Sequence, residues 1–413
     1  MNRRLVFWVA IFFNLIPLFI FKYYNFFVDS INDTGNIFGV QFNLITLKLF
    51  LPVGISFYTF LSLSYIIDVY KKQVQFEKNF IRHSVSLSYF PIIMSGPIHR
   101  PRYLLKQLND KIEFNYSLVV DGLRQFLWGL FSKVVIADSL AKHVGRTFND
   151  YSSMNGNSVL LGTIYFSFQL YFDFNGYSNM AIGISKMLGI PVERNFEYPY
   201  LSRTIADFWK RWHISLTRWF RDYIFLPISF IVSRKVKQDS VFNTDLMIYS
   251  IGIIITWTLT GLWHGSNWTF IVWGMIHAFL LILNKTLRKK KKKLLKQLGI
   301  KYKNNVLVLF EGVLTFFIVN FVWIFFRSDS LKTANSILFN IFNLQSWNSF
   351  QITAIPLILI LIILLLEFLQ KNKNHVLDIG NKNIYFRWFS YLIITMTIIY
   401  FAGNSQTFIY AGF

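Results

Sequence analysis

Again and again along this chain, about 20 consecutive residues pass with almost no charged side chain. A run of that length matches the roughly 30 Å hydrocarbon core of a bilayer. The clearest runs are "LVFWVAIFFNLIPLFIF" from Leu5, "LMIYSIGIIITWTLTGLW" from Leu246 and "WTFIVWGMIHAFLLIL" from Trp268. "VLVLFEGVLTFFIVNFVWIFF" from Val306, "AIPLILILIILLLEFL" from Ala354 and "FSYLIITMTIIYFAG" from Phe389 complete the set. Weaker candidates lie at 51–70, 84–98, 116–137 and 157–188. The expectation is an all-α, polytopic helical membrane protein with about nine to eleven membrane segments.

Composition agrees. The 413 residues are 54% hydrophobic and 19% aromatic with only 15% charged, too apolar for a soluble domain of this size. Met1 leads directly into the first apolar run, which is too long for a secretory signal peptide and lacks a small-residue cleavage site, so that helix is expected to stay. With no cysteine in the chain, disulfides, thiolate metal sites and cysteine nucleophiles are excluded. The formal net charge of +22 does not point to nucleic acid, because the basic residues sit in short loops between apolar spans. The densest run, "RKKKKKLLKQLGIKYKN" (Arg288–Asn304), reads as a cytoplasmic, lipid-contacting loop under the positive-inside rule.

No polar stretch is long enough to fold alone; the longest are Lys71–His83, His99–Tyr116, Val192–Arg211 and Arg288–Asn305. No internal repeat is visible, which leaves an inverted-repeat transporter unsupported. The chain therefore reads as a single membrane domain over residues 1–413. Two segments are unusual. From Asn195 to Arg234 the chain is neither clean span nor simple loop. On a helix, Trp209, Trp212, His213, Leu216, Trp219 and Phe220 form one aromatic stripe, with Lys210, Arg211, Arg218 and Arg221 largely elsewhere. A basic amphipathic helix rich in tryptophan suits the membrane interface, and His213 falls on its aromatic face. In "YFPIIMSGPIHRPRYLLKQL" (Tyr89–Leu108), prolines and a glycine break an apolar run, as in a re-entrant segment.

Of the seven histidines, His264 in "LTGLWHGSNW" is the informative one. An ionisable ring within the membrane usually faces an interior cavity. Gly261 and Gly265 weaken the helix there and allow another backbone or a substrate to approach. A neutral imidazole accepts a proton near pH 7, so its use would be general-base catalysis. The competing reading is a histidine bonded to a neighbouring carbonyl. His277 divides evenly between packing and function; His99, beside Arg100 and Arg102, is more readily an interfacial histidine than a phosphate ligand. His83, His143 and His375 suggest no role. Asp173 reads as a buried partner for an arginine, since an unpaired buried carboxylate is expensive. The sequence holds no Asp-x-Asp pair, no Walker A loop, no Gly-x-Ser-x-Gly elbow and no His-x-x-x-His pair, and no metal site is expected.

Taken together these residues resemble the membrane-bound O-acyltransferase family, and within it the bacterial polysaccharide O-acetyltransferases of the alginate type. "DFWKRWHISLTRWFRDYIFLPI" and "GLWHG" carry most of the likeness, with their histidines 51 positions apart. "KYYNFF" (Lys22–Phe27), Leu51–Tyr70, "SGPIHRP" (Ser95–Pro101), "GLFSKVVIAD" (Gly129–Asp138), Tyr171–Ile190, Asn195–Trp209, "FFRSDS" (Phe325–Ser330) and "FIYAGF" (Phe408–Phe413) follow in order. Family members usually carry one or two further apolar segments before "KYYNFF". This chain has barely twenty residues there, so either the start is internal to a longer protein or the variant is short.

The resemblance implies a central funnel, His264 as the catalytic histidine and His213 as its supporting partner. It further implies an acetyl group moving from a cytoplasmic thioester, acetyl-CoA, with no permanently bound cofactor. The acetyl would pass across the cytoplasmic (inner) membrane toward hydroxyls of a cell-envelope polysaccharide such as alginate. A separate extracytoplasmic transferase is an expected partner. Arg100, Arg102, Lys210, Arg211 and Arg218 are candidates for the donor's phosphates. Asp207 and Trp209 would hold the His213 segment, and Trp263 and Asn267 flank His264 as further substrate-site candidates. Two rivals remain: D-alanyl transfer to teichoic acid by the sibling branch, and a non-enzymatic flippase or transporter of a lipid-linked sugar. The flippase fits the spans equally well but gives the two histidine segments no task.

Overall fold

The computed structural model describes residues 2–236, 244–351, 353, 355–404, 406, 408 and 409, so Tyr410–Phe413 of the C-terminal motif lie outside the described residues. Among the described residues there is no strand. Helices α1 (Arg3–Leu18) and α2 (Tyr24–Ile37) run on through a π turn at Phe19–Tyr23. After an extended stretch come α3 (Ile55–Tyr70), α4 (Phe80–Ser88) and α5 (Pro101–Asn109). Next are α6 (Tyr116–Phe131), α7 (Asp138–Asn149) and the long α8 (Gly156–Met187). Short helices α9 (Ile205–Arg211), α10 (Ile214–Phe220) and α11 (Leu226–Lys235) precede α12 (Thr244–His264) and α13 (Trp268–Gln297). The chain continues through α14 (Asn305–Arg327), α15 (Leu331–Phe342), α16 (Ile355–Leu369) and α17 (Ile384–Phe401).

Many of these helices start where a short polar side chain accepts a hydrogen bond from the first turn. Asn2, Asn79, Asn115, Thr204, Asn267, Asn304, Ser330 and Asn383 all do so, supplying the acceptor that orphaned N–H groups need. Among the described residues, five continuous helical stretches are long and apolar enough to cross a bilayer: Arg3–Ile37, α12, α13, α14 and α17. Two more, Ile55–Tyr70 and Pro356–Leu369, are apolar but shorter. No residue of α17 is fully buried: Tyr391, Ile394, Ile398 and Phe401 pack against the core, and most of its other apolar side chains face outward, where lipid can cover them.

The core forms around α8, whose side chains are buried on all sides along most of its length. Its contact with α6 depends on glycine. A Cβ at Gly129 would stand 2.5 Å from the Gly176 carbonyl oxygen, and one at Gly183 would stand 2.5 Å from that of Gly122. The two pairs share a seven-residue spacing, so antiparallel backbones touch at two levels, the small-residue contact through which membrane helices associate. Buried polar groups tie the same core. Asp173 on α8 pairs with Lys133 at 2.8 Å, a lysine where the sequence suggested an arginine, and Lys133 also reaches Asp138 at 2.6 Å. The short reach of the π turn over Ser132–Ala137 sets that ammonium between both carboxylates.

The expected single amphipathic helix over 209–220 is broken. His213 adopts φ 42°, ψ 55°, separating α9 from α10. In Tyr89–Leu108, turns over 89–100 bury Ile92, Ser95 and His99 before α5 starts on Pro101, consistent with a re-entrant segment enclosed by protein.

Candidate active site

His264 is the last residue of α12, and Asn267 starts α13 by accepting from the Thr269 N–H at 3.0 Å. The tight return between two long helices is possible because Gly274 and Gly261 let their backbones meet: a Cβ on Gly261 would collide with the Phe270 carbonyl, and one on Gly274 with that of Trp257. Since α13 runs away from this corner toward the basic run, His264 lies at the far end of the hairpin from Arg288–Lys296. Its ring is 3% exposed and is walled by Trp263, Trp273 and Phe326, with centroids 4.7, 5.0 and 5.1 Å away.

The Trp263 indole also meets His213, at 6.1 Å between centroids, so one tryptophan borders both histidines. His213 is fully buried, and its left-handed turn is held by Asn195, a residue the sequence did not single out. The Ile214 N–H donates to the Asn195 main-chain carbonyl at 2.8 Å. Asn195 Oδ1 accepts from Ser215 Oγ at 2.6 Å and from the Ser215 N–H at 3.4 Å, and it lies 3.3 Å from His213 Nδ1. A backbone N–H only donates, so the amide atom it meets is the oxygen; His213 Nδ1 then carries the proton and Nε2 the lone pair. Nε2 is buried without a hydrogen-bond partner among the described residues. Burial pushes the His213 imidazole down to about 3, which keeps it neutral.

The candidate cations divide into two groups. Arg100, Arg102 and Arg218, with Arg221, line a cavity of ≈ 400 Å³ that also contains His99, Glu193, Ser215 and Asp222. One lining residue, Ser215, also shares Asn195 with His213. The Ile98 N–H donates to Ser215 Oγ at 2.9 Å, joining "SGPIHRP" to the same turn. The arginines are held: Arg100 on Asp222 at 2.6 Å, Arg218 on Glu193 at 2.6 Å, Arg102 near Asp68 at 3.6 Å. Burial drives His99 down to about 4 against the opposing pull of Glu193, so the cavity's positive charge comes from arginine alone.

Lys210 and Asp207 instead line a second cavity of ≈ 540 Å³ with Arg203, Arg288, Lys291 and Lys292. Arg211 is held by Asp207 at 3.0 Å. The break at His213 separates them: α9 faces the basic run, α10 the arginine cavity. Trp209 donates from Nε1 to His277 Nδ1 at 3.3 Å and packs edge-on to Trp273, which in turn borders His264. Asp207 pairs with Arg211 within α9 itself and accepts from the Arg203 N–H at 3.3 Å at the start of the helix, while Trp209 packs against Trp273, a wall of the His264 pocket. On the other side, a cavity of ≈ 760 Å³ is lined by Asn267, Gln169, Arg327, Asp329 and the rings of Phe270 and Phe326. Phe326 therefore stands between that space and His264. The two cavities share no lining residue.

The family model for the membrane-bound O-acyltransferases matches residues 79–293, a range that includes both histidines. The chain is 36% identical over 334 residues to the "Probable alginate O-acetylase AlgI" of Pseudomonas aeruginosa, covering 81% of this chain and 59% of that protein. It is 32% identical over 351 residues to the peptidoglycan O-acetyltransferase of Helicobacter pylori, covering 79% and 62%. With the teichoic acid D-alanyltransferase of Bacillus subtilis it shares 30% over 303 residues, 71% of each chain. The chain spans about three-fifths of the length of the first two of these relatives. On the family match and on these identities, the chain belongs to the membrane-bound O-acyltransferase family.

Proposed function

We propose that this protein is a multi-pass O-acetyltransferase of the bacterial cytoplasmic membrane. It takes an acetyl group from acetyl-CoA on the side of the basic loops and delivers it toward hydroxyls of an envelope polysaccharide. The observation that carries the reading is the pair of buried histidines sharing Trp263, with an arginine-lined cavity reaching the His213 turn and a separate cavity walled from His264 by Phe326. Names of relatives that acetylate alginate or peptidoglycan support the acetyl group and the glycan acceptor.

In this mechanism the donor's phosphates meet Arg102 and Arg218, whose guanidinium groups suit phosphate oxygens. The thioester carbonyl then lies near the two histidines. The acceptor hydroxyl oxygen attacks that carbon while His264 takes its proton. The tetrahedral intermediate expels the thiolate as the C–S bond breaks, and the imidazolium returns the proton to sulfur, leaving His264 neutral for another cycle. His213 Nε2 has a lone pair to offer rather than a proton, so it acts by accepting a hydrogen bond, from His264 or from the hydroxyl. General-base assistance of this kind supplies about 10²–10⁴ of the rate, and positioning supplies the rest. An extracytoplasmic transferase that receives the acetyl group is the partner this reading anticipates.

The deciding experiment gives the protein, in lipid nanodiscs, radiolabelled acetyl-CoA and follows free CoA and transferred label, with His264→Ala and His264→Gln alongside. Turnover lost in both variants, with donor binding kept, is the expected result. Near-normal turnover by His264→Gln would overturn the base assignment. A protein that ignores acetyl-CoA and uses a D-alanyl carrier protein would transfer it to the sibling activity.

A further inference from the structure

The first helix reaches the end of α12 from another wall. Within the π turn at Phe19–Tyr23, Lys22 Nζ donates to the Trp263 carbonyl at 2.6 Å and to Ser56 Oγ at 3.2 Å. The neighbouring Tyr23 hydroxyl donates to the Leu262 carbonyl at 2.9 Å. Adjacent residues of one helix therefore grip adjacent carbonyls of another, the two that directly precede His264. A carbonyl in a helix's last turn has no N–H four residues ahead within the helix, and α12 ends at His264. Lys22 and Tyr23 supply those missing donors. π turns re-aim the side chains they carry and recur at functional sites.

The cost of this arrangement is what makes it informative. Lys22 is 9% exposed, lies within an apolar stretch and pairs with no carboxylate among the described residues. A lysine so placed is expensive in a membrane, whether it keeps its charge or gives up its proton, and a plain tie between two helices needs only a neutral donor. Its complement is the negative end of the α12 dipole, equivalent to about half an elementary charge at the carbonyl terminus. The geometry points to Lys22 and Tyr23 as positioning residues for the transfer: they fix the last turn of α12, and with it the aim of the His264 ring. This inference rests on the reading of His264 as the base.

The test uses the full chain in nanodiscs with Lys22→Met, Lys22→Arg and Tyr23→Phe, and His264→Ala as reference. A misplacement of about 1 Å costs on the order of 10²-fold in rate, so Lys22→Met is expected to lower kcat by about 10–10²-fold while KM for acetyl-CoA stays within about twofold. Lys22→Arg keeps the charge and a donor and recovers part of the loss. Tyr23→Phe gives a smaller fall, and combining it with Lys22→Met costs less than the product, because both act on one turn. A folded Lys22→Met protein with kcat within about twofold of wild type, or with only KM altered, overturns the inference. If Lys22→Met does not fold, Tyr23→Phe, which removes one hydroxyl, decides by the same criteria. Should the wild type not turn over acetyl-CoA, the acetyltransferase reading fails by itself. The positioning is then read from modification of His264 by diethyl pyrocarbonate, located by mass spectrometry. Faster labelling in the variant supports the inference, and an unchanged rate overturns it.

Discussion

His213 Nδ1 faces Asn195 Oδ1 at 3.3 Å, and that contact determines which ring nitrogen is left with a lone pair. Replacing Asn195 by Asp keeps an acceptor there but buries a charge beside the ring; replacing it by Leu removes the acceptor and frees the turn. Asn195→Leu is expected to reduce kcat by about 10–10²-fold through loss of ring orientation. Asn195→Asp should retain more activity and move the pH profile upward, because a neighbouring carboxylate favours imidazolium. Equal, small effects of both on kcat and on the profile would show that Asn195 does not orient His213.

Arg102 and Arg218 line the cavity that also contains Ser215 and are only partly buried. If they bind donor phosphates in ground and transition state alike, Arg102→Ala combined with Arg218→Ala should raise KM for acetyl-CoA about tenfold, or ~1.4 kcal/mol, with kcat little changed. The effect should shrink with added salt. Lys210→Ala, in the other basic cavity, serves as the matched control and should leave KM unaltered.

The seam between α6 and α8 has no room for a side chain at Gly129 or Gly176. Gly176→Val is expected to destabilise the folded protein by about 1–3 kcal/mol through overpacking, read as a lower unfolding temperature in detergent. Gly312, on α14, has open space around a would-be Cβ, and Gly312→Ala should fall within experimental scatter of wild type.

His99 sits below the usual imidazole range because it is buried. The unfolded chain therefore binds a proton there between about pH 6.5 and 4 that the folded chain refuses, so stability is complete above that window and declines as pH falls through it. At pH 5 the protein should lose roughly 2 kcal/mol more than His99→Gln does, taking 1.36 kcal/mol per pH unit below 6.5. Parallel unfolding curves for the two proteins at pH 7 and 5 make the comparison; identical losses would place His99 in contact with water.

The membrane helices were legible because about 20 apolar residues have little else to become. His264 stood out as a candidate because an ionisable ring between glycines has little reason to sit in lipid. The break at His213 was not. No glycine or proline marks it, and the aromatic stripe over 209–220 continues across it, so local periodicity describes one helix. What bends the chain is Asn195, eighteen residues earlier, whose amide rewards a left-handed turn with bonds to Ser215. The same break explains the divided arginines and lysines, which a continuous helix would have spread along one face. The contact of Lys22, named only within its motif, was hidden for a different reason: its partner carbonyl is 241 positions away, and pairing at that range leaves no local pattern.

His213 holds φ at 42°, a conformation that a residue with a β-branched side chain resists and glycine adopts freely. Deleting the ring to alanine leaves a Cβ, and its cost, in that conformation. Glycine removes both, leaving the main chain where it is and a ring-shaped vacancy beside Trp263. Free imidazole diffusing into that vacancy would restore the lone pair without the covalent bond, so His213 lends itself to chemical complementation.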